Sequence, residues 1–186
     1  DGTLNANTIE LSRDVIGEVL TRVSYLSAQE VRQHYQHQLI RRGVDLWHLV
    51  DAQIRLFSAA SQEKQISVIN EIPLSTLIYV DAELFGEVIG NLIGNAIKYC
   101  WAGDSVTIRL DGDNIVVTDS GPGVSPVIGP ILFRTQGATS RGSAGEKGFG
   151  LGLYSSKKIV ERHGGSISYR DAQGGGAQFV IELSPY

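Results

Sequence analysis

The segment from residue 81 to residue 99 constrains the fold more than any other part of this 186-residue chain. Its apolar side chains recur at the spacing of an α-helix, and Asp81 is placed to cap the helix N-terminus. They occupy most of the helix circumference, and they are Phe85, Val88, Ile89, Leu92, Ile93, Ala96 and Ile97. A helix of this kind packs its apolar side on another layer of structure, so the elements around it decide the fold.

The flanking segments alternate between strand and helix patterns. Helices are predicted over 46–61, capped by Asp45, and over 151–163, ended by Gly164 and Gly165. Strands are predicted at 66–69, 77–80, 106–110, 115–118, 166–170 and 177–183. Strands that alternate with helices, together with antiparallel hairpins, predict an α/β fold: a two-layer sandwich in which helices cover one face of a mixed β-sheet.

The first 43 residues predict a separate helical segment. Apolar residues recur at helical spacing at Val15, Val19, Val23 and Leu26. A turn at 41–43 ends this pattern, so we expect a helical region over 1–43 and a globular one over 44–186. Because a lone amphipathic helix exposes its apolar stripe, the first region also predicts dimerisation. The chain does not begin with methionine and contains none, so we expect it to be a piece of a longer protein.

Charge and composition argue against several classes of function. Twenty acidic residues outnumber sixteen basic ones for a net charge of −4, which argues against binding to nucleic acid or anionic membranes. Cys100 is the one cysteine, which excludes an internal disulfide and a cysteine-based zinc site. The longest uncharged stretch, 120–133, has 14 residues with three prolines and is too short to span a bilayer. We therefore expect a cytoplasmic chain, with any membrane anchor in its parent.

One arc of the helix at 81–99, about 80° wide, is polar. It carries Glu87, Asn91, Asn95 and Lys98. Asparagine is a poor helix former and Gly90 and Gly94 each cost up to about 1 kcal/mol, so a purely solvated face would favour other residues. Amide oxygens suit Mg²⁺ and an ammonium suits phosphate oxygens, so the arc predicts a site for a metal-bound polyphosphate. An amphipathic surface helix is the alternative explanation.

Two glycine-rich segments bear on this hypothesis. At 115–123 an apolar strand ends in Asp119, and such a carboxylate either orders a turn or accepts a hydrogen bond from an exocyclic amine. At 145–153 glycines precede a helix, where exposed backbone N–H groups and the helix dipole attract an anion. A flexible loop that merely ends in a helix is the alternative there. The spacing of this second segment excludes the P-loop and the dinucleotide-binding motif.

Taken together and in this order, the segments resemble the ATP-binding superfamily of gyrase, the ninety-kilodalton chaperones, mismatch-repair ATPases and sensor histidine kinases. The kinase boxes that they resemble are the N box at 91–99, the first glycine box at 119–123, the F box at Phe133 and the second glycine box at 148–153. Asn91 favours the kinases, because the other branches usually carry an acid at that position. The resemblance extends over the globular region and implies the Bergerat fold of a histidine kinase catalytic domain, with ATP and Mg²⁺ as cofactors.

The resemblance implies a role for each residue around the predicted site. Asp119 would accept a hydrogen bond from the adenine amine, and Tyr99 would flank the base. Asn95, helped by Asn91, would hold Mg²⁺, and Lys98 would reach a phosphate. Phosphoryl transfer depends on this kind of positioning and charge neutralisation more than on covalent chemistry.

The other implied contacts come from the glycine boxes, the F box and a lid between them. They are Gly121, Gly123, Phe133, Gly148, Gly150, Leu151, Gly152 and Leu153. The glycines at 148, 150 and 152 would hinge the lid and present amides to phosphate. The lid cations Arg134, Arg141 and Lys147 either reach the β- or γ-phosphate or remain solvated. Glu87 could polarise a nucleophile, but a salt bridge or a plain surface acid explains it as well.

Two departures from the kinase pattern bear on activity. The F box lacks its second aromatic residue, which affects the expected lid geometry. The phosphoacceptor motif is absent, and four histidines are interpreted as structural or surface residues: His34, His37, His48 and His163. The region 1–43 resembles the second helix of a dimerisation and histidine-phosphotransfer domain, so this chain is expected not to phosphorylate itself.

We therefore predict the catalytic domain of a two-component sensor histidine kinase, which binds MgATP and transfers the γ-phosphate to a histidine absent from this chain. The expected partners are the histidine-containing dimerisation domain of the parent, a second copy of the full-length protein, and a response regulator whose aspartate takes the phosphate. Neither nucleic acid nor a membrane segment is expected. Two alternatives remain, an inactive nucleotide-binding scaffold that regulates a partner kinase and an ATPase that acts as a conformational switch.

Overall fold

The computed structural model describes residues 38–134, 143 and 152–183. The chain divides into two compact units, 1–38 and 39–186, whereas the sequence suggested a boundary after residue 43. The helix predicted within the first region lies outside the described residues. Among the residues that are described, no helix has the length and apolar character needed to cross a membrane.

The described strands are β1 (Arg42–Asp45), β2 (Ser67–Asn70), β3 (Leu77–Val80), β4 (Ser105–Asp111), β5 (Asn114–Asp119), β6 (Ser166–Asp171) and β7 (Ala177–Glu182). Five of them form the main sheet in the order β2–β4–β5–β7–β6. Strand β2 pairs with β4 in parallel, and the other neighbours pair antiparallel, so the sheet is mixed as predicted. A separate two-stranded antiparallel ribbon joins β1 to β3.

Two of the described helices begin at the predicted caps. Asp45 Oδ1 accepts a hydrogen bond from the backbone N–H of His48 at 3.1 Å, and Asp81 Oδ1 accepts from Leu84 at 3.3 Å. The helix predicted over 46–61 is interrupted at Phe57, where the backbone leaves the helical region at φ −96° and ψ 6°. The helices are α1 (Leu46–Leu56), α2 (Ser58–Glu63), α3 (Ala82–Tyr99) and α4 (Gly152–Arg162), with a 3₁₀ turn at Gly129–Ile131.

The strand β1 was missed, because the sequence at 41–43 was interpreted as a turn. The segment has four residues, includes Gly43 and shows no apolar alternation, so it carries no local strand signal. The strand forms by pairing with β3, where Gly43 lies opposite Tyr79 and Asp45 opposite Leu77. Because β3 lies far along the chain, no local pattern indicates this pairing. The ribbon is thus a product of long-range pairing.

The core lies between the sheet and the helices. Along β4, Val106 and Ile108 are buried, while Thr107 and Arg109 point to the other face of the sheet. Helices α3 and α4 pack on the buried face, and α1 packs on α3. The opposite face of the sheet carries a polar depression of about 630 Å³ that Arg109, Arg170 and neighbouring polar residues line. This is the two-layer arrangement that the sequence predicted.

The glycines of α3 form a stripe against α1. Gly86, Gly90 and Gly94 recur every four residues, and a Cβ at Gly90 would lie 2.8 Å from the Oε1 atom of Gln53. A Cβ at Gly94 would lie 3.0 Å from the ring of Phe57. Close helix packing therefore accounts for glycines that are unfavourable to the helix itself.

A buried histidine connects the end of α4 to the start of α3. The Nε2 atom of His163 accepts a hydrogen bond from the backbone N–H of Asp81 at 3.0 Å. The proton therefore resides on Nδ1, which donates to the carbonyl of Ile159 at 2.8 Å. Burial lowers the pKa of His163, and the charges of Arg41 and Arg162 lower it further, against the opposing effects of the hydrogen bond to Ile159 and the charge of Asp81. The imidazole is therefore held neutral, and its two backbone contacts agree with the interpretation of His163 as a structural residue.

We expect the protein to lose stability as the pH falls below about 6.5, the ordinary pKa of histidine in an unfolded chain. Below that pH the unfolded state binds a proton that His163 resists in the folded state, so the free energy of unfolding declines. Urea denaturation at pH 8 and pH 5.5 measures the effect. His163→Gln should reduce this pH dependence, whereas His48→Gln, whose side chain is 72% exposed, should leave it unchanged. Equal pH dependence in all three proteins would contradict the assignment.

Candidate functional site

Asp119 is a buried carboxylate at the end of β5, only 8% exposed. Its Oδ1 atom accepts hydrogen bonds from the backbone N–H groups of Gly121 at 3.0 Å and Ala177 at 3.1 Å. Burial raises the pKa of Asp119, the two backbone donors oppose that rise, and the negative charge of Asp104 adds to it. Within the described residues both of these hydrogen bonds end on Oδ1, so Oδ2 is the oxygen that could accept from a bound group.

Two glycines let the backbone of the β6–β7 turn approach Asp119. Gly176 has φ +92°, and a Cβ at this position would overlap the backbone carbonyl of Asp119. Gly123 has φ +75°, and a Cβ there would lie 3.2 Å from the carbonyl oxygen of Gly176. The first glycine box therefore packs on the turn that delivers the N–H of Ala177. Sequence reasoning missed the support from Gly176 and Ala177, because the two segments are distant along the chain.

The end of α3 meets the end of β5 at Gly121. A Cβ at Gly121 would lie 3.2 Å from both Asp119 Oδ1 and Cys100 Sγ. Burial raises the pKa of the Cys100 thiol to about 12, and the charges of Asp119 and Asp104 contribute to the rise. The thiol therefore stays protonated and unreactive at neutral pH, and it lies close to the carboxylate of Asp119.

The polar arc of α3 runs from the exposed Glu87 toward Cys100 at the end of the helix. Glu87 is exposed, whereas Asn91 and Asn95 are half-buried. The Nδ2 atom of Asn91 lies 3.4 Å from the carbonyl of Gly152 and 3.4 Å from Ser156 Oγ, so the N box touches the first turn of α4. Oδ1 of Asn91 also faces the start of α4, since a Cβ at Gly152 would lie 3.1 Å from it. It is the atom of this amide that could coordinate a cation.

The cation and the ring at the end of α3 contact each other. Lys98 Nζ lies 3.2 Å from the hydroxyl of Tyr99 and 4.8 Å from the centre of its ring. Both side chains are half-buried. An ammonium and an aromatic ring are thus held together one turn after Asn95, and the implied roles of Lys98 at a phosphate and Tyr99 at the base remain predictions.

Phe133 packs on the sheet. Its ring meets the ring of Phe179 edge-on, with centroids 6.3 Å apart at 87°, and Phe179 in turn contacts Tyr169. Arg134 is exposed and Leu153 is half-buried in the first turn of α4. The remaining predicted lid and glycine-box residues lie outside the described residues: Arg141, Lys147, Gly148, Gly150 and Leu151.

The candidate metal ligands are amides. Across 38–134, 143 and 152–183, no group of three or more histidine, cysteine, aspartate or glutamate side chains is arranged to hold a metal ion. The amide oxygens of Asn91 and Asn95 suit a hard cation such as Mg²⁺, which takes few protein ligands and keeps several waters when phosphates are also present. The residues at this site therefore fit magnesium bound together with a polyphosphate.

The fold and the site geometry define a class of ATPase domain. A family model described as histidine kinase-, DNA gyrase B-, and HSP90-like ATPase matches residues 80–186. The chain belongs to this family. The match includes the polar arc, Asp119 and the start of α4.

Sensor histidine kinases are the relatives that the chain resembles within that family. It is 31% identical over 186 residues to the sensor histidine kinase TmoS of Ectopseudomonas mendocina. This alignment covers 97% of the chain and 18% of TmoS. It is 34% identical over 108 residues to the sensor protein SrrB of Staphylococcus aureus, over 55% of this chain and 18% of that protein. The chain thus spans about a fifth of these relatives.

A solved structure of the mycobacterial sensor histidine kinase MprB has the same fold. It superposes with a TM-score of 0.64 at 27% identity, over 77% of this chain and 97% of that chain. The resemblance to the catalytic domains of sensor histidine kinases, stated from the N box and the glycine boxes, is confirmed by these relatives.

We expect Gly176→Ala to destabilise the protein more than Gly175→Ala. Both glycines have positive φ, so each substitution carries backbone strain of roughly 1–2 kcal/mol. A Cβ at Gly175 meets nothing within 4 Å, whereas a Cβ at Gly176 overlaps the backbone of Asp119 and adds roughly 1–3 kcal/mol. Urea unfolding of the two variants measures the difference, and equal losses would show that the turn does not press on Asp119.

Proposed function

We propose that this chain is the catalytic domain of a sensor histidine kinase, which binds MgATP and passes the γ-phosphoryl group to a histidine on the parent's dimerisation domain. A response-regulator aspartate then takes the phosphoryl group. The observation that carries the proposal is Asp119, a buried carboxylate whose backbone donors both end on Oδ1. A neutral amine is the partner that the remaining oxygen, Oδ2, can accept from.

The base would bind at the end of β5. Asp119 accepts from the exocyclic amine of adenine, and the glycines at 121 and 123 keep the adjacent backbone free of side chains. Cys100 closes the site from below as a protonated thiol, and Tyr99 flanks the base. A hydrogen bond to a buried carboxylate is stronger than one in water and leaves a costly unpaired charge when it is absent, so it confers selectivity.

The phosphates would extend along α3 toward α4. MgATP supplies the transferable phosphoryl group and part of the charge neutralisation. Asn95 and Asn91 offer amide oxygens to the metal, and Lys98 offers its ammonium to phosphate oxygens. The N-terminus of α4, which begins at Gly152 beside Asn91, attracts negative charge through its free N–H groups and dipole.

The acceptor histidine would approach the exposed end of the polar arc. Glu87 lies on this arc one turn before Asn91 and is exposed, so an incoming domain could contact it. A carboxylate at this position would orient the imidazole and hold its proton as the new bond forms. This assigns Glu87 a part in transfer and none in binding ATP.

We expect Asp119→Asn to weaken ATP binding by at least roughly tenfold without lowering stability. Asparagine keeps an acceptor for Gly121 and Ala177 but replaces Oδ2 with a donor that faces the adenine amine. Burial raises the pKa of Asp119, so the ionised carboxylate disfavours the folded state above that pKa, and a neutral amide removes this cost. Calorimetric titration with ATP, with and without Mg²⁺, together with urea unfolding, provides both measurements.

Asp113→Asn is the matched control, because Asp113 lies exposed in the β4–β5 turn and should bind ATP like the original chain. Unchanged ATP affinity in Asp119→Asn would refute the assigned base site. No ATP binding by the original chain would refute the proposed site in this chain, unless the site is completed by the parent.

Phosphotransfer is tested in the full-length parent. We expect acid-labile phosphate to be incorporated from γ-labelled ATP in the presence of Mg²⁺, and Asn95→Ala to abolish it because an amide ligand to the metal is lost. The 186-residue chain alone is expected to bind ATP without becoming labelled. An Asn95→Ala parent that is labelled at the original rate would remove Asn95 from the metal site.

A further inference from the structure

We propose that Lys64 is a positioning residue for the nucleotide site. Its ammonium ties residue 143 to the last turn of α3, and this tie sets nucleotide affinity although Lys64 contacts no nucleotide. The inference rests on the proposed function, since it assigns a support to the same site. No motif of the kinase resemblance includes Lys64.

The ammonium of Lys64 uses three donors on three acceptors. Lys64 follows α2, and its Nζ atom lies 2.8 Å from the carbonyl of Ile97, 2.9 Å from the carbonyl of Lys98 and 2.6 Å from Ser143 Oγ. A lysine ammonium has three N–H groups, which is enough to donate to these three acceptors. Two of the acceptors are carbonyls in the last turn of α3, which an α-helix leaves without intrahelical partners.

Ser143 completes the tie from its own side. Its backbone N–H donates to the carbonyl of Lys98 at 3.0 Å, and its hydroxyl donates to the carbonyl of Cys100 at 2.6 Å. The hydroxyl has a single proton, so the 3.2 Å approach of Oγ to the Lys98 carbonyl is the weaker of its two contacts. Lys64 thus donates to an oxygen that is already oriented by the end of α3.

The tie acts on the part of α3 that carries the site. Its last turn holds Lys98 and Tyr99, and Cys100 follows in extended conformation against Gly121 and Asp119. The positive charge of Lys64 at this helix C-terminus favours the dipole, and its hydrogen bonds fix where the helix ends. Residue 143 falls within the lid that the kinase resemblance implies next to the phosphates.

The other described lysines outside the site are held differently. Lys157 lies on α4 and pairs across one turn with the carboxylate of Glu161 at 3.8 Å, an exposed arrangement that contributes little. Lys64 instead contacts backbone carbonyls of a different element. Lys157 therefore offers a matched control for the removal of a lysine charge.

The test compares ATP affinity in Lys64→Met, Lys64→Arg and Lys157→Met, measured by calorimetry with Mg²⁺ on the 186-residue chain. We expect Lys64→Met to bind ATP more weakly by about fivefold or more. Lys64→Arg should retain most of the affinity, because a guanidinium also donates to several carbonyls, and Lys157→Met should match the original chain. Original affinity in Lys64→Met, or failure of Lys64→Arg to restore it, would overturn the proposal.

Amide hydrogen exchange separates positioning from global stability. The N–H of Ser143 is bonded to Lys98, so its exchange should accelerate in Lys64→Met while the exchange of Val117, buried in β5, stays slow. Faster exchange at both amides would mean that Lys64 stabilises the whole domain, and the proposal would be wrong.

The double variant Lys64→Met/Ser143→Ala tests whether the two residues act together. We expect Ser143→Ala alone to weaken ATP binding and the double variant to bind no more weakly than Lys64→Met, since both changes break one tie. Additive losses would overturn the proposal. Asp119→Asn, measured in parallel, distinguishes the two levels: unchanged affinity there refutes the proposed function, whereas loss there with full affinity in Lys64→Met refutes only the role of Lys64.

Discussion

The burial of α3 between three neighbours is the constraint on which the rest of the domain depends. Its glycine stripe lies against α1, its apolar side lies on the sheet, and Asn91 meets the start of α4. Protein interiors are close-packed, so a helix whose neighbours each fit a different face cannot slide or rotate. The last turn is therefore presented at a fixed place beside the end of β5. One helix forms both the centre of the core and the frame of the candidate site.

The buried charge of Asp119 lowers the stability of the fold, but in the proposed function it would contribute to ligand recognition. Burial disfavours its charge, and two backbone N–H groups compensate only in part, so its pKa remains raised. In the proposed function the same burial would make the carboxylate selective: a ligand with an amine at this position would satisfy it, whereas one with a carbonyl oxygen would face an acceptor and leave it unpaired. The proposal therefore implies a preference for an adenine base over a guanine base, whose corresponding position carries an oxygen.

Local signals made much of this fold predictable. The period of α3, the caps at Asp45 and Asp81, and the strand patterns of the main sheet all depend on residues a few positions apart. What escaped prediction depends on partners far along the chain: the pairing of β1 with β3, the turn at Gly176 behind Asp119, and the contact of Lys64 with α3. The glycines of α3 show the same limit. They mark a helix that other groups approach closely. The sequence does not say whether the approaching group is a ligand or, as here, Gln53 of α1 and Phe57, which follows α1.

The pairing of β5 with β7 has a consequence for the order in which the site comes into being. Asp119 receives its second backbone donor from Ala177, the first residue of the last described strand. During synthesis on the ribosome, the polar arc, the first glycine box and the start of α4 all emerge before that strand. The carboxylate lacks this second donor until β7 has docked beside β5. If Asp119 holds the base as proposed, nucleotide would bind fully only after this last described strand is in place.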